Sequence, residues 1–194
     1  MRVPQRIAIS GSSGLIGTAL VGHLKSEGHT VQRLVRRAPV ASDEVQWDPQ
    51  TGYVDLAPLA GVDAIIHLAG VGVGDKRWTK KYKSEILNSR LLGTTTIAKA
   101  VAELKPAVFI SASAIGWYGE SGNRAVVETD RVGDDFLAAV CREWESAADL
   151  AGDVRTVKIR TGLVLDPTGG ALGKMLPLFR LGFGGKLGSG KQWW

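Results

Sequence analysis

Short apolar runs alternate with longer amphipathic stretches along the chain. RIAIS at Arg6–Ser10 is an apolar run that ends in a Gly-rich turn and reads as a strand. Residues 15–27 carry Leu15, Ile16, Ala19, Leu20 and Leu24 at helical spacing, and Gly28 stops the pattern. Thr30–Val35 reads as a second strand and residues 45–47 as a short third. Residues 64–69 (AIIHLA) are nearly unbroken in apolar character, as expected of a strand covered on both faces. A long helical stretch over residues 79–104 is closed by Pro106 after Lys105. Residues 108–112 read as a strand, residues 136–150 as a helix ended by Gly152, and residues 156–165 (TVKIRTGLVL) as a further strand-like run. Strands alternating with helices require crossover connections. The fold class is therefore α/β, a doubly wound parallel sheet with helices on both faces.

Composition narrows the function classes. With 194 residues, the chain has the size of about one domain. The net charge of +5 suits an anionic ligand, but the cations are dispersed apart from Lys80, Lys81 and Lys83. That cluster reads as a solvated helix face, which argues against nucleic-acid binding. The lone Cys141 leaves no internal disulfide. Residues 1–9 lack the pattern of a secretory signal, and no apolar stretch nears the roughly 20 residues of a membrane helix. The expected setting is cytoplasmic. The Gly-rich segment from Gly182 to Gly190 leads to Trp193 and Trp194. Two Trp residues are unusual on a free tail, so a continuation is expected.

The most informative string is GSSGLIG at residues 11–17. Its glycines, Gly11, Gly14 and Gly17, follow a strand and open a helix, the context a phosphate-binding turn needs. Gly11 permits the sharp exit, Gly14 lets backbone approach a pyrophosphate, and Gly17 lets the helix pack against the sheet. Ser12 and Ser13 add hydroxyls, and the amides of Leu15 and Ile16 open the helix toward an anion. This is the signature of a Rossmann-type dinucleotide site. In NAD-binding domains an acidic residue usually ends the second strand. Here Arg36 and Arg37 follow it, and no carboxylate appears before Asp43. A guanidinium binds a 2′-phosphate bidentately, so the expected cofactor is NADP (NADPH). Asp48, beside Trp47, reads either as an acceptor for the adenine amino group or as a plain turn residue before Pro49.

Leu68-Ala69-Gly70 and Ser111-Ala112-Ser113-Ala114, added to this turn, resemble an extended short-chain dehydrogenase/reductase. SASAIGWYG at residues 111–119, FLAAVCREWE at 136–145, RTGLVL at 160–165 and GGALGKMLPLFRLGFGG at 169–185 are similar to its atypical epimerase family. That family is also called SDR39U1-like or YfcH-like and is labelled as SulA-related nucleoside-diphosphate-sugar epimerases. The resemblance spans essentially the whole chain. It implies an NAD(P)-binding domain over residues 1–165 and the start of an incomplete substrate-side lobe over residues 166–194. It implies Val35 and Arg36 at the 2′-phosphate corner, Leu68 and Ala69 beside the ribose, and Gly70 and Ser111 on the cofactor side. It places Glu85 and Arg90 along the cofactor and Val164 near the nicotinamide. It also implies a homodimer paired through long helices.

Enzymes of that superfamily use a Tyr with a Lys four residues on, plus a Ser. Ala57, Ile86 and Gly122 stand four residues after Tyr53, Tyr82 and Tyr118, so the pair is absent from this chain. With Glu145 as the marker, Leu137 and Cys141 fall in the Tyr and Lys places. Ser113 matches the catalytic Ser. Tyr118 reads either as a substitute acid or as a packed aromatic. His67, inside an apolar strand with no partner at ligand spacing, reads as a core histidine, so no metal is expected. Two functions stay open. One is an NADP-dependent oxidoreductase or epimerase acting on a nucleotide sugar or carbonyl compound. The other is an NADP-binding module without ordinary catalysis, for redox sensing or interaction.

Overall fold

The computed structural model describes residues 3–186 and 188–190. The elements run β1 (Arg6–Ser10), α1 (Leu15–Ser26), β2 (Thr30–Val35), β3 (Glu44–Asp48), β4 (Tyr53–Val54), β5 (Ala64–His67), α2 (Lys80–Leu104), β6 (Val108–Ala114), α3 (Phe136–Ala148), β7 (Thr156–Thr161), β8 (Leu165–Asp166) and α4 (Gly170–Arg180). Seven strands form one sheet in the order β4-β3-β2-β1-β5-β6-β7. Neighbours are parallel except β3 and β4. From β1 the chain builds outward to β4, then returns to place β5 on the other side of β1. The direction of winding thus reverses between β1 and β5, where open α/β sheets form their binding crevice.

Alternate side chains explain the unbroken apolar runs. Ile7, Ile9, Val31, Ala64 and Ile66 face one side of the sheet, packed with Leu20, Val21 and Leu24 of α1. Ala8, Leu34, Val45, Ile65 and Phe109 face the other, against Ile97, Ala98 and Val101 of α2 and Ala148 at the end of α3. Each fully buried Ile or Phe contributes about 2 kcal/mol of transfer free energy. Thr79 caps α2 by accepting from the Tyr82 amide at 3.1 Å. Lys105 then takes a left-handed conformation before Pro106, which ends the helix. Asp135 caps α3 through the Ala138 amide at 2.8 Å.

The structure shifts several of the expected boundaries. The sixth strand continues to Ala114. The run 156–165 breaks at Gly162: β7 ends at Thr161, and the two-residue β8 turns back on Gly169 and Gly170. The segment 170–180 forms the helix α4 and leaves Leu178 and Phe179 exposed. Trp193 and Trp194 lie outside the described residues. No helix among the described residues is long and apolar enough to cross a membrane.

Candidate functional site

A cleft of about 690 Å³ opens at the carboxyl ends of β1, β2, β3 and β5, within the usual size range of ligand sites. Its floor is the turn after β1. Gly11 has φ +70°, and a Cβ there would lie 2.8 Å from the Ala69 amide nitrogen. A Cβ on Gly17 would lie 2.1 Å from the Gly11 carbonyl oxygen, so α1 approaches the turn only because Gly17 lacks a side chain. The Gly14 amide donates to the Gly11 oxygen at 3.0 Å and closes the turn. Gly14 is also the N-cap of α1, which has no side-chain cap and no acidic residue in its first turn. The opening amides of Leu15, Ile16 and Gly17, together with the helix dipole, are therefore available to an anion. Below the turn, Ser10 Oγ and His67 Nδ1 share a hydrogen bond of 2.6 Å that ties β1 to β5. Burial holds the His67 imidazole down at about 3, so the ring is neutral. Trp47 and that ring pack edge to face, 5.9 Å between centroids and nearly perpendicular.

The next wall is cationic. Arg33, Val35, Arg36 and Arg37 line the cleft together with Glu44. The Glu44 side chain, only 2% exposed, receives Arg37 Nη2 on Oε1 at 2.6 Å and Arg33 Nη2 at 3.2 Å. Its Oε2 accepts from Arg37 Nη1 at 2.7 Å and from the Val40 amide at 2.9 Å. The paired Arg37 guanidinium and the Val40 amide hold the Glu44 carboxyl at about 2. Hydrogen bonds from Arg33 and Lys25 hold Asp43 well below the usual carboxylate range. Arg36 is exposed and, among the described residues, has no ion pair. Sequence reading put no carboxylate here before Asp43; the structure adds Glu44, but with both oxygens engaged. Asp48 takes the turn role: its carboxylate accepts from the Gln50 amide at 2.8 Å and the Thr51 hydroxyl at 3.1 Å. Its neighbours Trp47, Pro49 and Gln50 line the cleft instead.

Ser12, Ser13, Leu68, Ala69 and Gly70 also line the cleft, joined by Val71, Gly72, Asp75 and Ser89. Glu85 and Arg90 part company. Glu85 pairs with Lys76 at 3.6 Å in a separate surface groove. Arg90 Nη1 donates to the Val71 carbonyl at 2.9 Å, and its guanidinium lies 4.9 Å from the Trp144 ring centroid. Arg90 thereby supports the Gly70–Val71 backbone from behind. Val164 lies half-buried in the loop between β7 and β8, outside this cleft.

The sequence-predicted catalytic residues lie apart from the cleft lining, in a second cluster. Ser113 Oγ, buried, donates to Glu145 Oε1 at 2.6 Å. Arg160 grips the same carboxylate through Nε at 2.8 Å and Nη2 at 3.0 Å. Its Nη1 donates to the Tyr118 hydroxyl oxygen at 3.1 Å, and the guanidinium stacks 3.9 Å from the Trp117 centroid. Paired with Glu145, the Arg160 cation is held even further above its usual range. Sequence reading used Glu145 only as an alignment marker and missed Arg160. The signal was a Glu on the apolar face of a helix and an Arg in an apolar strand, since buried charges require partners. Ser111 is buried opposite His67 in the β5–β6 register. Cys141 is buried beside the Ala114 carbonyl, and burial pushes its thiol up. Among the described residues, no group of His, Cys, Asp and Glu is arranged to hold a metal ion.

A glycine turn under an uncapped helix, at the winding reversal of a parallel sheet, defines a Rossmann-type fold with its crevice in the usual place. The profile of the NAD dependent epimerase/dehydratase family matches residues 7–135, and the chain belongs to that family. It is 46% identical over 189 residues to an epimerase family protein of Mycobacterium tuberculosis, covering 96% of this chain and 63% of that protein. The structure of human epimerase family protein SDR39U1 with NADPH superposes with a TM-score of 0.86 at 36% identity, over 96% of this chain and 63% of that one. A nucleoside-diphosphate sugar epimerase from Corynebacterium glutamicum gives 0.84 at 40% identity, over 98% of this chain and 40% of that one. The chain thus spans under two thirds of the length of these relatives.

Proposed function

We propose that the cleft binds NADP(H) and that the protein is an NADP-dependent member of the short-chain dehydrogenase/reductase superfamily. The observation that carries this reading is that the turn at the uncapped α1 terminus and Arg36, which has no ion pair among the described residues, line one cleft. The residues fit the group: side chains on Gly11 and Gly17 would collide with the floor, which leaves bare backbone for a diphosphate. Arg36 is the guanidinium for the 2′-phosphate, and Leu68, Ala69 and Gly70 border the ribose. The human relative bound to NADPH supports the same choice. Bound NADPH supplies a hydride, for oxidoreductase or epimerase-type chemistry on a nucleotide sugar or carbonyl compound. In that chemistry Tyr118 is the proton donor. Arg160 occupies a lone pair of its oxygen, which leaves the phenolic proton for a substrate. Residues 166–194 then begin a substrate-side lobe, to which the exposed Leu178, Phe179, Leu181 and Phe183 belong. A homodimer and a reducing cytoplasmic setting, which suits a lone buried thiol, complete the reading.

A second reading, an NADP-binding module without ordinary catalysis, has its own support. The Ser113 hydroxyl is already committed to Glu145, and Leu137 and Cys141 stand where Tyr and Lys are usual. Fluorescence titration with NADPH and NADH tests the shared claim. Loss of a charge-assisted phosphate contact in Arg36→Ala is expected to weaken NADPH about 10- to 100-fold and to leave NADH nearly unchanged. Equal losses for both would remove the case for NADP. Decay of NADPH absorbance with a panel of carbonyl compounds and nucleotide sugars separates the two readings, because turnover excludes the module.

A further inference from the structure

We propose that Arg37 sets cofactor choice by masking Glu44, and that removing the mask turns the corner toward NADH. The inference rests on the NADP reading of the cleft. In this fold, an acidic residue at the ribose corner selects the cofactor without a 2′-phosphate, because its oxygens accept from the ribose hydroxyls and repel a phosphate. Such a residue stands in this cleft. Glu44 opens β3, lines the cleft beside Val35 and Arg36, and is negatively charged.

Its geometry explains why it does not act that way. Arg37 covers both carboxylate oxygens in a two-point fork at 2.6 and 2.7 Å. Arg33 adds a contact to Oε1 at 3.2 Å, and the Val40 amide one to Oε2 at 2.9 Å. The Glu44 side chain is 2% exposed, while that of Arg37 is 54% exposed. The lid on the carboxylate is therefore the exposed partner, and it comes away without opening the core. Arg36 and Arg37 are adjacent in sequence but divide two tasks. Arg36, with no ion pair among the described residues, lines the cleft, and Arg37 neutralises the acid that would oppose a phosphate there. Arg37 is thus a positioning residue that acts through Glu44 and not a phosphate ligand.

Dissociation constants for NADPH and NADH, measured by nucleotide fluorescence on wild type, Arg37→Ala, Glu44→Gln and the double variant, test this. Gln keeps the shape of Glu44 and an oxygen for the Val40 amide. Wild type is expected to prefer NADPH; the absence of that preference would overturn the NADP reading itself. Arg37→Ala is expected to weaken NADPH about tenfold or more while NADH holds or tightens, because a bare carboxylate is a repulsive element for one cofactor only. The Arg37→Ala/Glu44→Gln variant is expected to regain NADPH affinity to within about threefold of Glu44→Gln alone, since the coupling resides in the pair. A double variant as weak for NADPH as Arg37→Ala would mean that Arg37 contacts the phosphate directly, and the masking inference falls. An Arg37→Ala variant with an unchanged NADPH-to-NADH ratio overturns it equally. Arg37→Lys keeps one point of the mask and is expected to lie between wild type and Arg37→Ala. Circular dichroism on each variant confirms that the comparison is between folded proteins.

Discussion

Gly17 makes a very close approach to the Gly11 carbonyl. A methyl group at Gly17 would sit 2.1 Å from that oxygen and 2.8 Å from Ser12 Cα, both backbone atoms that cannot swing aside. Gly17→Ala is therefore expected to cost about 3 kcal/mol or more in urea denaturation, at the upper end of overpacking effects, and to abolish nucleotide binding with it. Gly22, one and a half turns on in the same helix, has nothing within 4 Å of a Cβ. Gly22→Ala is expected to gain about 0.5–1 kcal/mol through helix propensity. Equal effects at the two sites would show that the turn is not held by close backbone approach. The close approach at Gly17 was legible in the sequence, because glycine spacing after a strand reports backbone approach directly. The state of a charged side chain was not. Arg36 and Arg37 look equivalent in sequence, and only the fold brings Glu44 under one of them.

At the scale of elements, the longest periodic segments were the easiest to read. The boundaries of β1 and β2, the start of α3 and the end of α2 fall where the apolar pattern and the stop residues put them. The shortest elements were invisible: β4 is two residues long, too short for any period, and exists because β3 offers it an antiparallel edge. Helix α4 was hidden by its flanking glycines and by Pro177 within it. The junction of α3, β6 and β7 likewise depends on side chains distant in sequence. Glu145 of α3 joins Ser113 of β6 to Arg160 of β7, with the two charged side chains 6% and 16% exposed. Removing one partner of such a pair leaves an uncompensated charge. Glu145→Leu is expected to lose about 3 kcal/mol of unfolding free energy, whereas Glu145→Leu with Arg160→Met loses less than that single change. A double variant at the sum of the two single losses would show that the residues act independently.

At the scale of the whole molecule, the sheet is fastened at its winding reversal by Ser10 and His67, paired in register on β1 and β5. His67 is fully buried, its Nε2 has no hydrogen-bond partner among the described residues, and burial lowers it from the ordinary 6.5 to about 3. Because the native ring refuses a proton that the unfolded chain accepts, stability is full above the unfolded value and declines as the pH falls below it. The slope approaches about 1.4 kcal/mol per pH unit. Asp43 and Glu44 have depressed values of their own. Their stabilisation is present above the ordinary carboxylate range and is lost only as the pH falls through that range toward their native values. The interval from about pH 6.5 to 5 therefore isolates His67. Denaturation midpoints across that interval are expected to fall steadily in wild type and to flatten in His67→Gln, whatever the absolute stability of the variant. An identical slope in both would mean that the imidazole takes up its proton without unfolding. The floor of the nucleotide cleft would then open to solvent on acidification, and the fastening between β1 and β5 would not be what holds the cleft in shape.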